Sequence, residues 1–163
     1  MKITLLSDTH SFFDPQWETL WSGSDEVWHS GDFGSVDVID RIQETKYLRG
    51  VWGNIDGKDI RIQVPEFQLF EVNDLKVLML HIGGYPDRYV ARARELITTH
   101  LPGLFICGHS HILKVIYDHK YQMLTMNPGA AGKTGWHKIR TMIRFEIDDG
   151  KVHSAEVIEL GKR

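Results

Sequence analysis

Of 163 residues only one is a cysteine, Cys107, so no internal disulfide can form and the composition fits a reducing, cytoplasmic setting. Cys107 closes the apolar run Leu104-Phe105-Ile106 and reads as core filler, because a free cysteine behaves as a small hydrophobe. No apolar run is long enough to cross a bilayer, and Met1-Lys2-Ile3-Thr4-Leu5 reads as the start of a strand rather than a secretion signal. An excess of one charge is also missing: the net charge is −3 and the basic residues are scattered. The densest basic stretch, Arg88 to Arg94, alternates with apolar positions as one face of a helix does, which argues against a sequence-specific nucleic-acid surface. Repeats, low-complexity tracts and linkers are absent too. The expectation is one domain over residues 1–163, long enough to bury a hydrophobic core.

What is present is a recurring local pattern. Leu5-Leu6 precedes Asp8-Thr9-His10, Val27-Trp28 precedes Gly31-Asp32, and Val51-Trp52 precedes Gly53-Asn54. Val77 to Leu80 then leads to His81, and Leu104 to Cys107 leads to Gly108-His109-Ser110-His111. A continuous apolar run marks a strand buried on both faces, and parallel strands deliver their carboxyl ends to one edge of a sheet. Metal-ligating residues far apart in sequence are thereby expected to converge.

Strands are predicted at Ile3–Ser7, Glu26–His29, Tyr47–Trp52 and Leu104–Cys107, with helices at Asp14–Trp21, at Val36–Thr45 behind Ser35 as N-cap, and at Asp87–Thr99. Asn73-Asp74 joins Glu66–Val72 to Leu75–Leu80 as a hairpin, and Asp148-Asp149-Gly150 joins Thr141–Ile147 to Val152–Glu159. Ile112–Asp118 and Gln122–Met126 are the remaining strands. Such elements need cover on both faces, which an α/β fold with two packed mixed β-sheets and outer helices provides, a four-layer α-β-β-α sandwich.

The spacing i, i+2 in Asp8-X-His10 and His109-X-His111 aims paired side chains to one side if the backbone is extended. Asp32 has two oxygens with which to bridge a pair of cations, Asn54 offers an amide oxygen, and His81 a ring nitrogen. Mixed oxygen and nitrogen donors without thiolates suit manganese, iron, zinc, nickel or cobalt better than calcium or a structural zinc.

Asp8-Thr9-His10, Gly31-Asp32, Gly53-Asn54-Ile55-Asp56, His81 and Gly108-His109-Ser110-His111, in this order, resemble the motif set of the calcineurin-like metallophosphoesterases, and Asn127-Pro128-Gly129 resembles a further turn of its compact members. The match covers nearly the whole chain and is strongest to the small uncapped phosphodiesterase branch, which also contains a retromer scaffold subunit. The resemblance implies two divalent ions, manganese first among them. One would be held by Asp8, His10, Asp32 and His111, the other by Asp32, Asn54, His81 and His109. It further implies attack on a small phosphate ester by a hydroxide bridging the metals. Self-association into a homo-oligomer stays open, and a non-catalytic scaffold of the retromer-subunit type is the competing class.

Many members carry histidine after Gly-Asn, where this chain has Ile55, which cannot give a proton to a leaving group. That predicts a preference for diesters of acidic alcohols. His137, in the glycine-rich stretch after Asn127, is the candidate substitute acid. Asp56 is expected behind the ligands, orienting one or closing a turn. His29 reads as structural, and Tyr85 and Arg88 as candidates for the rim.

Overall fold

Two five-stranded mixed sheets form the body of the structure, a computed structural model that describes residues 1–163. In chain order the elements are β1 (Lys2–Leu6), α1 (Trp17–Leu20), β2 (Glu26–His29), α2 (Val36–Thr45), β3 (Tyr47–Gly50), α3 (Lys58–Arg61), β4 (Phe67–Val72) and β5 (Leu75–Leu80). They continue with α4 (Ala91–His100), β6 (Leu104–Ile106), β7 (Leu113–Asp118), β8 (Met123–Pro128), β9 (Ile139–Asp148) and β10 (Lys151–Lys162). The first sheet has the order β10-β9-β1-β2-β3 and the second β4-β5-β6-β8-β7. Within them β1, β2 and β3 run parallel, as do β5, β6 and β8.

Side chains alternate across a strand, and the apolar runs are continuous because both faces are covered. Leu5 and Trp28 point between the sheets, where they meet Met79, Ile106 and Phe145. Their neighbours Leu6 and Val27 point outward and pack on Val38, Ile39 and Ile42 of α2 and on Trp17 and Trp21. On the far side Leu78, Leu80 and Phe105 pack on Ala93, Leu96 and Ile97 of α4. The result is the expected order of helix, sheet, sheet and helix.

Both hairpin signals correspond to tight turns with left-handed residue pairs, Asn73-Asp74 at φ 44° and 65° and Asp149-Gly150 at 46° and 68°. Several boundaries differ from expectation. The helix foreseen from Asp87 begins only at Ala91, because Asp87 is left-handed at φ 68°, and it ends where Leu101 turns left-handed at 49°. Ser35 is the N-cap of α2 with extended backbone, but its hydroxyl makes no capping bond. The segment 14–21 yields a single turn, and α3 lacks a sequence signal strong enough to announce four residues of helix. Cys107 is buried, and that burial pushes its thiol up to about 12, in keeping with inert filler.

Candidate metal centre

The carboxyl ends of β1, β2 and β3 open on the same side as those of β5 and β6. Asp8 and His10 follow β1, Asp32 follows β2, Asn54 follows β3, His81 ends β5, and His109 and His111 follow β6. The backbone there is not extended. Asp8, His10, Asp32, His109 and His111 all have left-handed φ, between 48° and 66°, a conformation that costs a non-glycine residue about 1 kcal/mol or more. Loop hydrogen bonds hold it: Asp8 N–H to Gly31 O at 2.9 Å, His10 N–H to Asp32 O at 3.1 Å, and His109 N–H to the Asp8 carboxylate at 3.1 Å.

Two groups of possible ligand atoms result. Asp8, His10 and His111 form one and Asp32, His81 and His109 the other, with the donor atoms of each group within 4.8 Å of one another. His109 and His111 thus serve different groups, contrary to the same-side reading of their spacing, whereas Asp8 and His10, equally left-handed, share one. Asp32 lies between the groups: its Oδ2 is 3.6 Å from His10 Nε2 and its Oδ1 is 3.2 Å from His81 Nε2. Asn54 stands on an exposed loop that reaches Asp32 through the Ile55 N–H, 3.1 Å from Oδ1.

The donor set fits divalent cations. Asp8 and Asp32 are buried, 0% and 2% exposed, and their only ion-pair partners are histidines, with no lysine or arginine to offset the charge. Asp8 Oδ1, His10 Nε2 and His81 Nε2 are buried without a hydrogen bond, although Asp8 Oδ1 lies 3.1 Å from His111 Nε2. Buried polar atoms are rarely left unsatisfied, and these converge on shared space rather than pointing at each other. Burial disfavours the charged form of His81, but Asp32 and Asp8 outweigh it and raise its pKa; burial likewise opposes ionised Asp32, yet His81 and the Ile55 amide bring its pKa down. His81 is oriented from behind by Nδ1, which donates to Ser30 O at 2.7 Å and leaves the Nε2 lone pair facing Asp32.

A model of the calcineurin-like phosphoesterase superfamily domain matches residues 1–150. The chain belongs to the calcineurin-like phosphoesterase superfamily. It is 26% identical to a probable metallophosphoesterase of Methanothermobacter thermautotrophicus, over 99% of this chain and 94% of that protein. Among solved structures it resembles a single mutant of Vps29 from Entamoeba histolytica, with TM-score 0.75 and 18% identity over 99% of this chain and 100% of the other. An archaeal phosphodiesterase superposes with TM-score 0.73 and 22% identity, over 98% and 100% of the two chains.

In this phosphoesterase the loops behind the centre are tied together by buried polar residues, Asp56 in the position expected of it behind the ligands. The buried Asp56 carboxylate accepts N–H bonds from Gly34 and Gly53, both at 2.8 Å, and from Phe33 at 3.2 Å, locking the Asp32 loop to the Asn54 loop. Gly53 must be glycine, since a Cβ there would overlap the Asp32 carboxylate. His29 is fully buried, and burial, with His81 nearby, pushes its pKa down to about 3. Its Nδ1 therefore accepts the Gly31 N–H at 3.1 Å, its Nε2–H donates to Thr9 Oγ1 at 3.0 Å, and its ring stacks on Phe33. Asn127, at the end of β8, donates to Gly108 O at 2.7 Å and accepts the Gly129 N–H at 2.9 Å, bracing the histidine loop.

His137 comes near the centre, its ring packed edge-on against His111 at 5.3 Å. Burial lowers its pKa despite the Gly132 carbonyl, so the neutral ring gives its Nε2–H to Gly132 O at 3.0 Å. That leaves the bare Nδ1 lone pair and no proton to offer, which speaks against the expected role as a substitute acid. Tyr85 lies beside the histidine loop under the Lys114 ammonium, 3.6 Å above its ring, while Arg88 is solvent-exposed.

Proposed function

We propose that residues 1–163 form one cytoplasmic domain that hydrolyses small phosphodiesters with two divalent metal ions, manganese first among them. Asp8, His10, Asp32 and His111 would hold one ion, and Asp32, Asn54, His81 and His109 the other. The observation that carries this reading is the placement of Asp32 between two ligand groups in which Asp8 Oδ1, His10 Nε2 and His81 Nε2 are buried without a hydrogen bond. When bound, two such ions would supply Lewis acidity and a water-derived nucleophile at neutral pH.

The chain's own residues then explain selectivity. Asp8 and Asp32 bring two negative charges against four from the ions, so the loaded site stays cationic and attracts an anionic ester. Asp56 and the His29-Thr9 bonds hold the loops in place before substrate arrives. Ile55 has no proton to give, and His137 keeps its own on Gly132. An alkoxide must leave unaided, which favours acidic alcohols such as phenols over alkyl alcohols; a general acid is typically worth about 10²–10⁴-fold.

The test is a panel of aryl diesters, alkyl monoesters, cyclic nucleotides and dinucleotides assayed with manganese, nickel and magnesium. Hydrolysis of aryl diesters that needs metal and stops on chelation supports the reading. Absence of turnover with every metal would favour the alternative, a non-catalytic protein-interaction scaffold of the retromer-subunit type, to which the similarity in fold with Vps29 lends support.

A further inference from the structure

A cavity of about 350 Å³ opens beside the centre, with Asn54 and His81 contributing one wall. Four apolar side chains, Trp52, Leu80, Ile82 and Val90, line it together with the charged pair Glu66 and Arg92. Glu66 and Arg92 meet at 3.1 Å, and Arg92 also meets Glu95 at 3.0 Å, so the guanidinium is already engaged by two carboxylates. A second observation points the same way. Asn54, His81 and His111 are each followed by an isoleucine that stays exposed: Ile55 at 46%, Ile82 at 38% and Ile112 at 61%. Of these, Ile82 is in the cavity wall, so an apolar side chain stays exposed directly beside the proposed ligand His81.

We infer that this cavity receives a bulky apolar, flat ester group of the substrate, so that the substrate class is an aryl-type phosphodiester rather than a small alkyl ester. The inference rests on the phosphodiesterase reading above. An apolar cavity of roughly 150 Å³ already takes up benzene, so this one has room for two fused rings. The phosphate then sits over Asn54 and His81 while the ring system lies against Trp52 and between Ile82 and Val90.

The test uses two monoanions with no ester bond to hydrolyse, naphthylmethyl(methyl)phosphinate and dimethylphosphinate, which differ only in the group offered to the cavity. Their affinities for the manganese-loaded full chain are measured by calorimetry. The naphthyl compound should bind at least about tenfold tighter through the apolar area it buries. Val90→Asn and Ile82→Ser should each reduce that ratio at least about threefold. Val90 is the N-cap of α4, where asparagine is favoured, so the variant keeps its fold, which its melting temperature verifies. Equal affinities in the unaltered protein, or an undiminished ratio in both variants, would overturn the assignment. Hydrolysis of p-nitrophenyl methyl phosphate is followed in parallel. Metal-dependent turnover with equal affinities sinks only the cavity assignment, whereas no turnover and no binding of either phosphinate sinks the phosphodiesterase reading with it.

Discussion

Asp32 and His81 face each other at 3.2 Å, both 2% exposed, yet the ring nitrogen makes no hydrogen bond. In metal-free protein the pair is still a charge relationship, with His81 raised from 6.5 and Asp32 lowered from 3.8. A raised histidine contributes stability that is present below its unfolded value and lost as pH rises through its folded one. A lowered carboxylate contributes above its unfolded value and loses that in acid. Lowered histidines, His29 among them, work the other way. In chelator the stability advantage of the unaltered protein over His81→Gln should therefore shrink as pH climbs through the folded value of His81. Added manganese should stabilise the unaltered protein most at pH 8, where the imidazoles are free to ligate. Thermal melts across pH, with and without metal, check this.

Asp56→Asn removes the charge from a buried acceptor of three backbone N–H groups. We expect a loss of about 1–3 kcal/mol in stability and about 10–100-fold in metal affinity, because the Asp32 and Asn54 loops lose their common anchor. Denaturant unfolding and metal titration measure both.

Ile55→His tests the missing proton donor. Rates on alkyl esters should rise, by at most about 10²–10⁴-fold, while p-nitrophenyl esters change little because their leaving group needs no proton. Equal gains on both classes would contradict the account of leaving-group selectivity.

Tyr89 lies far from this chemistry, its hydroxyl bonded to Asp118 at 2.9 Å and to Thr125 at 2.8 Å. Burial, with Asp118 in support and Thr125 opposing, raises it well above its ordinary value of 10.0. The neutral form stabilises the fold below that pH, and the contribution fades as pH rises beyond it. Stability of the unaltered protein should thus drop more steeply above pH 10 than that of Tyr89→Phe, as read by urea unfolding.

Much of this architecture was legible from apolar runs, because strands covered on both faces have no other composition open to them. Leu5-Leu6 and Val77 to Leu80 feed alternate side chains to inner and outer layers, as such runs demand. The glycine-flanked polar residues after each run marked the edge where the site lies. What the sequence hid was conformation and support. The paired spacing of His109 and His111 reads as one-sided in an extended chain, yet both are left-handed and serve different groups, as the family resemblance alone implied. His29 acts through hydrogen bonds across loops distant in sequence, so nothing local distinguishes it from an ordinary buried polar residue, and Thr9 and Asn127 stand in motifs that do not themselves declare these bonds. His137 was drawn to the site by its neighbours, but its proton is committed to a carbonyl that only the fold brings near.

Asp32 as the bridge between two cations is the centre of the proposal, and anomalous diffraction from crystals grown with manganese tests it most directly. The account predicts two peaks flanking the Asp32 carboxylate, one toward Asp8, His10 and His111 and the other toward His81 and His109, with both lost in Asp32→Asn. A single peak, or none within reach of those side chains, would contradict it.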